Sequence, residues 1–154
     1  MLTEAIKNEI ESHIHEPEHR QAAGAEALRI VQRERGWIDD EAIRDVAEFL
    51  GMTPHELDSV ATFFNLIHRR PVGKYVIRVC SSVSCWVMGY DALLDALLKH
   101  LGVQLGEITA DGRFTVLPHQ CLGCCDCGPA LMIGGDLHRN VDPARIGEIL
   151  EKYS

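Results

Sequence analysis

Apolar residues recur at helical spacing through the first part of the chain and then give way to short β-rich runs. Leu2, Ile6, Ile10 and Ile14 stand four residues apart, so residues 1 to 16 predict a surface helix with one apolar stripe, interrupted at Pro17. Gln21 to Glu34 is rich in helix formers, with Ala25, Leu28 and Val31 on its apolar side and Gly36 beyond its end. Asp39 or Asp40 can cap a third helix, whose Ile43, Val46, Ala47 and Leu50 share a face and which stops at Gly51. Thr53-Pro54-His55-Glu56 combines a capping hydroxyl, a proline at the first helical position and a glutamate three residues past the cap. It starts a fourth helix through Leu57, Val60, Ala61 and Phe64.

The period then changes. His68 to Gly73 gathers charge, proline and glycine and marks a boundary, dividing the chain into an N-terminal helical bundle over 1–70 and a second domain over 71–154. Lys74 to Val79 is β-branched and aromatic, and delivers Cys80 at its end. Asp91 to Leu101 predicts a helix directing Leu93, Leu94, Leu97, Leu98 and Leu101 at a sheet, with Gly102 after it. The Asp111-Gly112 turn leads into a second strand, Phe114 to Leu117, expected to stop at Pro118. Ala130 to Ile133 is a third strand, Gly134-Gly135-Asp136 turns it into a short fourth near Leu137 and His138, and Asp142-Pro143 opens a last helix. The fold class is α/β, a small sheet covered by helices, with both cysteine-bearing loops emerging near one end.

Composition narrows the function. The 154 residues carry 23 acidic and 15 basic side chains, a net charge of −8, which offers no footprint for nucleic acid or anionic lipid. Residues 1–70 hold 14 acids and 8 bases, and residues 71–154 hold 9 and 7, so most of the excess lies on the helical half. A solvated acidic face accounts for it. No apolar run is long enough to span a membrane, and the first sixteen residues lack the basic and apolar regions of a secretory signal. In a reducing compartment six cysteines argue for metal or redox chemistry rather than disulfides.

All six lie in two groups, CSSVSC at 80–85 and CLGCCDC at 121–127. Two pairs of soft thiolates, one pair per iron, are what a two-iron cluster requires. Spacing alone leaves the second pair open: Cys121/Cys125 is one choice, and Cys121/Cys124 and Cys124/Cys127 are each spaced like a zinc knuckle or a dithiol. The four-residue gap between Cys80 and Cys85 is marginal for structural zinc, and a dithiol would leave that first group unexplained. Ser81, Ser82, Ser84 and Gly123 leave room for backbone amides to face the sulfurs, with Arg78 or His119 as the nearby cations. His119 and His138 otherwise read as turn or surface residues, and Trp37, Phe63, Phe64 and Trp86 as packing residues, with Phe63 and Phe64 also placed to bridge to a partner.

The chain resembles the small [2Fe-2S] subunit, known as the E subunit in bacteria, of respiratory NADH:quinone oxidoreductase (complex I), whose cluster domain is a thioredoxin-like ferredoxin. Arg35-Gly36-Trp37-Ile38, Val60-Ala61-Thr62-Phe63-Phe64, Pro71-Val72-Gly73, Cys80 to Cys85, Asp111-Gly112-Arg113-Phe114 and Cys121 to Pro129 carry the resemblance. It implies a thioredoxin-like domain holding one [2Fe-2S] cluster on Cys80, Cys85, Cys121 and Cys125, with Cys124 and Cys127 close by and not ligating. It also implies a partner chain that binds NADH and FMN and exchanges one electron with the cluster, a larger iron-sulfur subunit nearby, and a position peripheral to the cytoplasmic face of the inner membrane. The absence of a G-x-G-x-x-G or Walker sequence agrees with electrons entering from a partner. Equivalent subunits of NAD(P)-linked hydrogenases and formate dehydrogenases fit the same pattern, and a zinc-stabilised interaction module is the alternative of another class.

Overall fold

The structure, a computed structural model, describes residues 1–153 and comprises two compact units, Met1–Pro71 and Val72–Ser154. In the first, α1 (Glu4–Ser12), α2 (Gly24–Arg35), α3 (Asp40–Leu50) and α4 (Pro54–Phe63) surround one apolar core. Thr3 caps α1, and Asp39 caps α3 through the Ala42 N–H. Thr53 and Glu56 close a reciprocal capping box on α4, satisfying N–H groups that a helix start otherwise leaves bare.

Two expectations shift here. Residues 17–23 form a 3-10 segment, so α2 begins at Gly24 and buries Ala27, Leu28, Ile30 and Val31, with Ala25 only half-buried. The fourth helix ends at Phe63, and Phe64 turns out to an extended conformation. Phe63 is 81% exposed, and Phe64 packs edge-on to it at 5.2 Å rather than into the core.

The second unit is a four-stranded sheet in the order β2-β1-β3-β4, from β1 (Tyr75–Cys80), β2 (Phe114–His119), β3 (Leu131–Ile133) and β4 (Asp136–His138). The β1–β2 pair is parallel and needs a crossover, which α5 (Val83–Val87) and α6 (Tyr90–Leu101) supply. β3 lies antiparallel on the other side of β1, and β4 follows it through a tight turn. Leu93 and Leu97 of α6 pack with Ile77, Val79, Phe114, Val116 and Ile133, and Ile146 and Leu150 of α7 (Ile146–Leu150) join that core. The close approach of Gly73 to β2 leaves no room for a side chain, since a Cβ there would fall 2.8 Å from the Arg113 and Phe114 backbone.

β2 runs two residues further than expected, through Pro118 to His119. It is an edge strand, where a proline lacking its N–H costs the ladder little. The short α5 is the other addition, a turn of helix inside the first cysteine group.

Candidate metal centre

Parallel pairing of β1 with β2 sets Cys80 opposite His119, so the chain leaves both strands at the same end of the sheet. The Cys80 N–H donates to the Ala130 carbonyl at 3.0 Å, and the Ser81 N–H and hydroxyl both donate to the His119 carbonyl, at 2.8 and 3.1 Å. Three segments are thereby tied together, one carrying Cys80 and Cys85, one carrying Cys121 to Cys127, and the start of β3. Cys85 sits on α5, and Gly128 passes so close that a Cβ would lie 3.1 Å from the Cys85 sulfur and 3.2 Å from the Met88 sulfur. Gly123, at φ +80°, makes the left-handed turn that brings its N–H to 3.4 Å from the Cys121 sulfur.

Within this fold four thiols share a buried cluster and two lie together at the surface. Cys80, Cys85, Cys124 and Cys127 are buried together with Ala130. The Cys121 and Cys125 sulfurs lie 3.8 Å apart. The Cys127 thiol donates to the Cys124 carbonyl at 3.4 Å and lies 3.5 Å from the Asp126 carboxylate. The second loop crosses onto the first, because the Cys80 sulfur lies 3.7 Å from the Gln120 carbonyl. Among the described residues, no three His, Cys, Asp or Glu side chains converge on a single metal position.

These distances suit metal chelation. Two thiolates at about 2.3 Å from one tetrahedral metal stand about 3.8 Å apart, whereas a disulfide brings sulfurs to about 2.05 Å. The Cys121–Cys125 separation matches the former. The Cys80 sulfur is prepared as an anion. Burial pushes its pKa up, but the Ser82 hydroxyl and the Ser82 and Leu122 N–H groups outweigh burial and bring it below the ordinary thiol value. Ser82 stands at the N-terminus of α5 without capping it, and its hydroxyl lies 3.3 Å from the Cys80 sulfur instead. Cys85 is pushed up to about 11, first by burial and then by donating its thiol to Cys80, against the Ala130 N–H. Cys125 is raised because its thiol is given to Cys121, while the Ser84 hydroxyl acts in the opposite direction. Metal binding at thiols releases their protons. The donor set, two thiol pairs with N–H and O–H groups aimed at sulfur, fits a [2Fe-2S] cluster.

The structure therefore brings Cys80, Cys85, Cys121 and Cys125 into one neighbourhood. Burial and then the Arg78 charge hold the His119 imidazole below its ordinary pKa. His138 is tied to the Tyr153 hydroxyl at 2.8 Å in the second unit's core. Trp86, read as a packing residue, is 58% exposed on α5, together with Val83 and Val87. The contributions of the Leu122 N–H and the Ala130 N–H were not visible in the sequence, because a backbone donor carries no residue-type signal.

The comparisons with known proteins agree. A family model described as thioredoxin-like [2Fe-2S] ferredoxin matches residues 9–154. The NADH-quinone oxidoreductase E subunit of Pseudomonas aeruginosa is 46% identical over 153 residues, covering 99% of this chain and 92% of its own length. The corresponding E subunit of Escherichia coli is 47% identical over 152 residues, with the same shares covered. Among solved structures, an NAD+-reducing [NiFe]-hydrogenase in the air-oxidised state superposes with a TM-score of 0.72 at 28% identity, over 88% of this chain and 24% of the hydrogenase chain.

Proposed function

Because the chain belongs to the thioredoxin-like [2Fe-2S] ferredoxin family, we propose that it is the E subunit of an NADH-quinone oxidoreductase, holding one [2Fe-2S] cluster that exchanges single electrons with FMN in an NADH-binding partner chain. The observation that carries this reading is the meeting of the two cysteine-bearing loops at one end of the sheet, with the Cys121 and Cys125 sulfurs 3.8 Å apart and the Ser82 hydroxyl 3.3 Å from the Cys80 sulfur.

In this reading Cys80 and Cys85 grip one iron and Cys121 and Cys125 the other. Ser82 and the Leu122 and Gly123 N–H groups donate to the sulfurs, which favours the more negative, reduced form. Cys80 and Cys85 are buried and Cys121 and Cys125 exposed, so one side of the site is sealed by the fold and the other opens outward. An exposed side is what an electron partner must approach. The exposed Val83, Trp86 and Val87 lie on α5, the helix that carries Cys85, and supply an apolar landing surface. Cys124 and Cys127 stay close to the cluster without ligating it. A larger iron-sulfur subunit lies nearby in the complex, and the complex holds the chain peripherally on the cytoplasmic side of the inner membrane. No helix among the described residues is long and apolar enough to cross a membrane, so attachment runs through other chains of the complex.

Near-full-length likeness to these E subunits supports this assignment over the equivalent part of an NAD-linked hydrogenase, most of whose chain lies outside the match. The test is affinity purification of the chain from its own cells. The expected result is co-purification of an NADH- and FMN-binding chain whose NADH bleaches the cluster absorbance. Oxidation of NADH by this chain alone would contradict it.

A further inference from the structure

We propose that Cys124 and Cys127 form a redox-active dithiol that closes to a disulfide within the loop by exchange with a low-molecular-weight disulfide, leaving Cys121 and Cys125 free for iron. The proposal rests on the ligand assignment above and concerns the two thiols that assignment does not use.

The backbone makes the pairing. The Cys127 N–H donates to the Cys124 carbonyl at 3.1 Å, so Cys124-Cys125-Asp126-Cys127 is a hydrogen-bonded turn. Such a turn holds its end Cα atoms within about 7 Å, which overlaps the range of about 4.4–6.8 Å across disulfides. The far end is pinned as well, because the Asn140 N–H donates to the Cys127 carbonyl at 2.8 Å. The Cys127 sulfur already lies over the turn, 3.4 Å from the Cys124 carbonyl and 3.5 Å from the Asp126 carboxylate.

The same turn sorts the sulfurs by side. Cys125 is exposed and faces Cys121, whereas Cys124 and Cys127 point inward among Cys80, Cys85 and Ala130. A bond between Cys124 and Cys127 therefore closes on the face away from the Cys121–Cys125 pair. Cys124 and Cys127 are both buried, with 5% and 8% of their residue surface exposed.

The step is two thiol–disulfide exchanges. The thiolate of one cysteine attacks a sulfur of the small disulfide, forming a mixed disulfide and releasing one small thiolate. The second cysteine's thiolate attacks the protein sulfur of the mixed disulfide and releases the other. The two thiol protons go to the released thiolates, and two electrons pass from the dithiol to the small disulfide, which ends as two thiols. The loop that carries two of the four cluster thiols is then cross-linked at its turn.

The test uses the holoprotein, equilibrated anaerobically with oxidised glutathione in large excess, then denatured in a thiol-alkylating reagent and digested. The expected product is a peptide from the second cysteine group lighter by two hydrogens than its reduced form, alkylated at Cys121 and Cys125 and unreacted at Cys124 and Cys127, with the cluster absorbance unchanged until denaturation. Excess reduced glutathione should restore four alkylated cysteines, and Cys124→Ala and Cys127→Ser should each abolish the closed product. Full alkylation of all four cysteines after oxidation, with the cluster intact, would overturn the proposal. A failed ligand assignment reads out separately, as iron loss from Cys124→Ala before any oxidant is added, and that result would also remove the dithiol.

Discussion

The Ser82 hydroxyl stands 3.3 Å from the Cys80 sulfur, at the N-terminus of a helix it does not cap. A serine in that position ordinarily accepts an N–H from the helix's first turn. Here it serves the sulfur instead, and a donor to sulfur favours the state with the extra electron.

Ser82→Ala should therefore lower the reduction potential of the cluster. A hydrogen bond about 1 kcal/mol stronger in the reduced state corresponds to roughly 40 mV for one electron. Potentiometric titration of the holoprotein followed by its paramagnetic signal measures the shift. An unchanged potential would show that the hydroxyl does not address the sulfur when iron is bound.

Tyr153 gives a pH-dependent expectation away from the site. Its hydroxyl donates to Asp136 at 2.9 Å and meets His138 at 2.8 Å, and burial first, then Asp136, pushes its pKa up to about 12. A raised phenol is held neutral in the fold, so its stabilisation is complete below the unfolded value of about 10 and is lost as pH rises toward about 12. Tyr153→Phe should cost about 1 kcal/mol at neutral pH through the lost hydrogen bond, and less above pH 10. Thermal melts of both proteins across that range check it, and a constant difference between them would contradict the assignment.

Much of this fold was legible in the sequence because local chemistry and tertiary packing agree. The capping box at Thr53 and Glu56, the apolar face of Ile43, Val46, Ala47 and Leu50, and the strand ending at Cys80 are each specified by a few neighbouring residues. What escaped was set elsewhere. Five residues from Val83 to Val87 are too few to display a helical period, so α5 was invisible beneath its cysteines. Pro118 looked like a strand stop because its tolerance depends on β2 being an edge, which is a property of the whole sheet. Phe63 and Trp86 read as packing residues, Phe63 also as a bridge to a partner, and both are exposed. At the metal centre the thiols were plain and their sorting was not. Adjacent cysteines 124 and 125 point to different sides because of a turn hydrogen bond that spacing does not reveal.

The central claim is that two thiol pairs hold one [2Fe-2S] cluster, and iron and acid-labile sulfide analysis of anaerobically prepared protein tests it most directly, in the wild type and in single alanine variants of the six cysteines. The expected result is about two irons and two sulfides per chain in the wild type, loss or marked weakening of both on changing Cys80, Cys85, Cys121 or Cys125, and retention on changing Cys124 or Cys127. Stoichiometric zinc without iron, or iron lost from Cys124→Ala and kept by Cys125→Ala, would contradict it.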